Sequence, residues 1–152
     1  MSRSITLAPG LVLPLDAVTQ TFALIARKGG GKTYAAGVLV EGMLEAGAQV
    51  VVIDPMGPWY GLRVGADGKS PGFPIPVFGG LHGDVPLEPG AGAFMAKVLV
   101  EHGTSAVLDV SQMRKGDRRT FATAFAEEFF HLKKSSPSPV HVVIEEAQVF
   151  VP

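Results

Sequence analysis

Two groups of residues in this chain have the types and spacing to do chemistry. The first is Ala26-Arg27-Lys28-Gly29-Gly30-Gly31-Lys32-Thr33, which fits the phosphate-binding pattern G-x-x-x-x-G-K-[ST] at every fixed position except the first. Glycines there let backbone N–H groups curl around phosphate oxygens, and a helix that starts at once turns its positive end toward them. Lys32 adds a point charge and Thr33 offers a hydroxyl to Mg²⁺. Lys28, Gly29, Gly30, Gly31, Lys32 and Thr33 are therefore the expected contacts of ATP, with Lys32 also serving catalysis. Ala26 replaces the first glycine, and an L-residue at positive φ costs roughly 1–2 kcal/mol. The turn is expected to keep Ala26 at negative φ.

The second group is Glu145-Glu146, which closes the apolar run Val140-His141-Val142-Val143-Ile144. Two acids at the end of a buried strand suit the Walker B arrangement, where one carboxylate holds the Mg²⁺ water shell and the other polarises the attacking water. Glu145 is assigned to the metal and Glu146 to the base. Two solvated acids capping a turn, or the two roles reversed, are the other readings. Asp54 ends another apolar strand, so it could orient water or Mg²⁺, or simply make an Asp-Pro turn with Pro55. Trp59 and Tyr60 could stack on a base, or form a small apolar cluster beside a Gly/Pro-rich loop. His82, His102, His131 and His141 are scattered, and the chain has no cysteine, which argues against a metal cluster or a catalytic triad.

These residues need elements to hold them. Thr21–Ala26 reads as a short buried strand entering the glycine turn, followed by a helix with apolar faces Ala35/Leu39/Met43 and Ala36/Val40/Leu44 that stops near Gly47. Gly37 and Gly42 weaken that helix unless they allow close packing. Gln49–Asp54 is β-branched and continuous, as in a strand of a parallel sheet covered on both faces. From about Gly57 to Gly92 the chain is dense in Gly and Pro, an irregular excursion with one short strand near Ile75–Phe78. A helix near Ala93–His102 closed by Gly103, a strand at Ala106–Val110, and a helix with Phe121/Phe125/Phe129 on its core face complete the pattern. The alternation specifies an α/β domain, of the P-loop NTPase kind, with a mostly parallel sheet flanked by helices.

Composition narrows the class further. With 152 residues, residues 1–152 are read as one domain. A net charge of −1 and a pI near 6.4 exclude a global basic field for nucleic acid or anionic lipid, so any DNA contact must be local. Hydrophobic residues at 47% and charged residues at 18% exclude a disordered chain. No apolar run reaches the ~18–20 residues of a membrane helix. The opening Met1-Ser2-Arg3-Ser4-Ile5 is interrupted by Pro9-Gly10 and Pro14 before it can make a leader and reads as mature, soluble sequence, while the absence of cysteine fits a reducing compartment, so a cytoplasmic protein is expected.

Four segments together resemble the ATPase core of the HerA/FtsK superfamily of DNA-translocating motors. They are Leu13-Pro14-Leu15-Asp16, Lys28–Thr33, Val52-Ile53-Asp54-Pro55-Met56-Gly57-Pro58-Trp59-Tyr60, and Ile144-Glu145-Glu146-Ala147-Gln148-Val149-Phe150-Val151-Pro152. The resemblance implies Mg²⁺-dependent ATP hydrolysis, a double-stranded DNA substrate and a homo-oligomeric ring, usually a hexamer. It departs at Ala26, and at Glu145, where the family usually has aspartate. It also implies a sheet truncated after the Walker B strand: the family's next strand, its sensor residue and its arginine finger are not in this sequence. On that basis the isolated chain is expected to bind nucleotide weakly and hydrolyse little. Other readings are a deviant-Walker partition ATPase, although Arg27 stands where that group has its signature lysine, a small-molecule kinase, and a non-catalytic nucleotide-gated binding module.

Overall fold

The computed structural model describes residues 4–151. The opening Met1-Ser2-Arg3 of the leader question and the closing Pro152 lie outside the described residues. By internal packing the chain divides into two compact units, one running to Val50 and including Pro139–His141, the other Val51–Ser138 with residues from Val142 onward.

The first unit opens with a hairpin of β1 (Ser4–Ala8) and β2 (Leu11–Pro14), antiparallel with Ile5 opposite Leu13 and Thr6 opposite Val12. Its tight turn is Pro9-Gly10, with Gly10 at φ +81°, a conformation open to glycine at little cost. The sequence reading gave no strands here. α1 (Lys32–Glu45) follows the glycine loop and buries Ala36, Leu39, Val40 and Met43, while Ala35 is exposed. A β-carbon on Gly42 would lie 2.7 Å from Ile5 Cγ2, so this glycine lets α1 approach β1 closely. Gly37 faces open space and has no such role. Gly47, at φ +79°, ends the helix as expected, donating to the Leu44 carbonyl at 2.9 Å.

One expectation fails in this unit. Thr21–Ala26 forms no strand, and every residue in it is exposed, Ile25 at 92%. Strand propensity is expressed only against a neighbouring strand or a packed face. None of the described residues pairs with this run.

The second unit carries, apart from the first residues of β3 and β6, a four-stranded parallel sheet in the order β4-β5-β3-β6, built from β3 (Val50–Asp54), β4 (Val77–Gly79), β5 (Ala106–Asp109) and β6 (His141–Ile144). β3 and β5 are buried at every position, as their unbroken Val/Ile/Leu runs predict for a sheet covered on both faces. α2 (Gly92–His102) lies against α3 (Lys115–Ser135). Gly92 permits the contact, since a β-carbon there would come within 2.3 Å of the Phe121 carbonyl oxygen. Phe121 and Phe125 are core as expected. Phe129 is only half-buried and lines an apolar groove of about 610 Å³ with Ile53, Phe125, Val142, Ile144 and Phe150. The Gly/Pro-rich excursion contains two 3-10 turns, Pro58–Arg63 and Pro89–Ala91, on either side of β4. No helix among the described residues is long and apolar enough to cross a membrane.

Candidate nucleotide site

The glycine loop runs without secondary structure into α1, and its residues are open to solvent. Gly29 and Gly31 take φ +76° and +80° on either side of Gly30, which does not. Such alternation is the backbone pattern of anion-binding nests. Gly30 N–H donates to the Arg27 carbonyl at 2.9 Å, tightening the turn. A β-carbon on Gly30 would meet that same oxygen at 2.9 Å and Ala26 Cβ at 3.2 Å, so the fold of the loop itself requires glycine there. Gly31 is the residue before the helix, and Lys32 and Thr33 are its first two positions. Ala26 keeps out of positive φ, the solution its side chain demanded. A loop of this shape, with free space at Gly29 and Gly31 and a helix start behind it, fits a polyphosphate.

The acids lie in the turn after β6, which belongs to the second unit. Glu145 is 6% exposed, and its backbone N–H donates to the Ile53 carbonyl at 3.2 Å, which sets it beside the end of β3. Glu146 takes φ +46°, which no other described non-glycine residue does in the positive range. That conformation costs about 1–3 kcal/mol and persists only where the surroundings impose it. Here a 3-10 turn, Ala147–Val149, holds it through Val149 N–H to the Glu146 carbonyl at 2.8 Å. The Gln148 side-chain amide donates to Glu146 Oε2.

Asp54 and Asp109 stand side by side at the ends of β3 and β5. Together with Glu145 they line the C-terminal edge of the parallel strands, where open α/β sheets receive ligands. Asp54 is fully buried, and its oxygens accept from Met56, Gly57 and Trp59 N–H at 2.9, 2.8 and 2.9 Å. Both oxygens are thus occupied in building the loop after β3, so the turn reading of Asp54 accounts for it. Burial pushes its carboxyl above the usual carboxylate value, the three N–H donors pull it back, and the Asp109 charge adds to the rise. Asp109 accepts from Ser111 N–H at 2.8 Å, and Gly80 is pressed against it, since a β-carbon there would fall 1.8 Å from Asp109 Oδ2. Asp109 escaped the sequence reading, although it closes an apolar strand in the same way as Asp54.

Trp59 is buried, so it offers no stacking face, and Tyr60 stacks instead on His82 with ring centroids 3.8 Å apart. His141 is buried, donating Nδ1–H to the Val18 carbonyl at 2.9 Å. Among the described residues, no three His, Cys, Asp or Glu side chains converge as a metal cluster would require. Thr33 is the second residue of α1, in the first unit, and Glu145 belongs to the second.

Residues 8–78, the stretch holding β2, the glycine loop, α1, β3 and the Asp54 turn, match the family model described as Helicase HerA, central domain. Over this stretch, a little under half of the chain, the sequence is similar to a HerA-like P-loop ATPase domain. No curated protein and no solved structure matches the chain. The parallel α/β sheet and the glycine loop that leads into α1 are consistent with a P-loop NTPase-like fold.

Proposed function

We propose that this HerA-like domain binds Mg²⁺-ATP through Lys28–Thr33 and hydrolyses it, powering movement along double-stranded DNA as part of an oligomeric ring. The observation that carries the nucleotide site is the pair of positive-φ glycines, Gly29 and Gly31, leading directly into Lys32 and Thr33 at the start of α1. Lys32 would neutralise charge on the transferred phosphate, and Thr33 and Glu145 would hold the metal. When bound, Mg²⁺ supplies electrostatic stabilisation of the phosphate oxygens. Glu146 would orient the attacking water as general base, a role supported by its imposed backbone conformation at a strand's C-terminal end. The ring and the DNA substrate rest on the HerA resemblance.

The test is steady-state ATP hydrolysis by the complete protein that carries this chain, with and without double-stranded DNA. DNA stimulation abolished by Glu146→Gln, with Mg²⁺-ATP binding retained, is the expected result. Hydrolysis indifferent to DNA would remove the translocase reading and keep the ATPase. Nucleotide binding with no hydrolysis under any condition would leave a nucleotide-gated binding module.

A further inference from the structure

The segment that leads from β5 into α3 concentrates positive charge in a chain that is otherwise balanced. Arg114, Lys115, Arg118 and Arg119 bring four of the chain's 13 Lys and Arg residues into six positions, with Asp117 the one carboxylate among them, while the whole chain carries a net charge of −1. Arg114 and Lys115 are exposed, and neither makes an ion pair among the described residues. Arg118 and Arg119 are half-buried and direct their hydrogen bonds to carbonyl oxygens. Arg118 donates to Met113 at 2.9 Å and to Ser111 at 2.6 Å, and Arg119 donates to Val151. A carbonyl satisfies a guanidinium without cancelling its charge.

Stability does not explain this surface. Arg114 and Lys115 open α3 at the end where the helix dipole disfavours cations, and a structural solution would place acids there. Arg118 pins the segment to the loop after β5, whose Ser111 N–H donates to Asp109 at 2.8 Å, so Arg114 and Lys115 are held near the C-terminal edge of the sheet. We infer that Arg114 and Lys115 are a contact surface for the phosphate backbone of double-stranded DNA. The inference rests on the translocase reading and supplies the local basic contact that a chain with no global positive field requires. Two solvated cations gain little from a small anion, whereas a duplex carries about one charge per 1.7 Å of its axis, engages both at once and releases condensed counterions as it does so.

The experiment is DNA binding by the complete protein that carries this chain, followed by fluorescence anisotropy with duplexes of two unrelated sequences over a series of salt concentrations. Arg114→Gln combined with Lys115→Gln is expected to weaken binding about fivefold or more at low salt, equally for both duplexes, because phosphate contacts carry no base readout. The slope of log affinity against log salt should become shallower by roughly 0.9 for each cation removed. Lys69→Gln combined with Lys134→Gln removes the same charge from exposed positions elsewhere and should leave affinity and slope near wild type. ATP hydrolysis without DNA should be unchanged, and the melting temperature should hold, since the cations leave an unfavourable end of a helix. Wild-type DNA binding with unchanged affinity and slope in the Arg114/Lys115 variant would overturn the inference and leave the translocase reading standing. An equal loss in the Lys69/Lys134 variant would reduce the effect to net charge and also overturn it, as would a loss of binding accompanied by a fall in melting temperature. No DNA binding by the wild type at any salt concentration would remove the translocase reading and this inference with it.

Discussion

At the scale of single residues, the glycine loop and the strand-end acids demand different kinds of precision. The loop depends on backbone shape, set at Gly29, Gly30 and Gly31, with Lys32 supplying charge. Lys32→Ala should therefore lower nucleotide affinity without unfolding the loop. A charge-assisted contact is worth about 1.5–3 kcal/mol, or roughly 10–150-fold in Kd. Isothermal titration with Mg²⁺-ATP is the check, and an unchanged Kd would refute Lys32 as a phosphate ligand. The acids instead depend on what surrounds them. Gly80 illustrates the constraint, because it combines φ +66° with direct contact on Asp109. Gly80→Ala should destabilise the protein by more than the ~1 kcal/mol typical of a point mutation, since strain and overpacking act together. Chemical unfolding would measure it, and a neutral result would mean that the loop beside Asp109 can move aside.

Elements were legible in the sequence wherever a pattern was long or closed by its own caps. α1 and α2 lie close to their expected bounds because i,i+4 apolar spacing and the stops at Gly47 and Gly103 act locally, and α3 forms around its expected phenylalanine face. β3 and β5 were equally plain from their unbroken apolar runs. The β1–β2 hairpin was missed although Pro9-Gly10 marks its turn, because two short strands with little alternation carry weak signals. Thr21–Ala26 erred in the opposite direction: its composition suits a strand, but strand formation is a property of a pair. The site divides in the same way. The glycine loop is encoded in consecutive residues and could be read, whereas Asp109 becomes interesting only once register puts it beside Asp54.

The two glycines of α1 turn this into a measurement on one element. Gly37 meets nothing within 4 Å, so Gly37→Ala should stabilise by about 0.5–1 kcal/mol through helix propensity and a less flexible unfolded chain. Gly42→Ala should instead destabilise by about 1–3 kcal/mol, because its methyl would press on Ile5, a fully buried and β-branched side chain. Opposite signs in urea unfolding would establish that only Gly42 carries packing, and equal signs would refute the close approach of α1 to β1. The segment around β4 provides a pH counterpart. Asp84 accepts from Val77 N–H at 2.9 Å and from Arg63, and these hold its carboxyl below the usual value, the Val77 bond most strongly. A depressed folded-state pKa means that the ionised group stabilises the fold above about pH 4 and ceases to do so as pH falls through the depressed value. The stability difference between wild type and Asp84→Asn should therefore be largest near neutrality and vanish in acid.

For the molecule as a whole, the balance between apolar surface and charge decides its behaviour in solution. Phe22, Leu24 and Ile25 are exposed at 40%, 43% and 92% in a run that pairs with no strand among the described residues. An unpaired apolar run exposes both side chains and backbone groups, the combination that drives edge-to-edge association. A net charge of −1 supplies little repulsion to oppose it. The 152-residue chain should therefore self-associate at neutral pH through this run. Ile25→Glu places a charge at its most exposed position and makes the net charge more negative by one, so it should shift the population toward monomer. Because Ile25 is almost fully solvated in the described fold, the substitution removes little buried area, and the melting temperature should hold. Sedimentation velocity over a concentration series reads the association directly. Persistent association of Ile25→Glu would exclude this run as the contact and turn attention to the apolar groove beside α3, where Phe130 is also exposed.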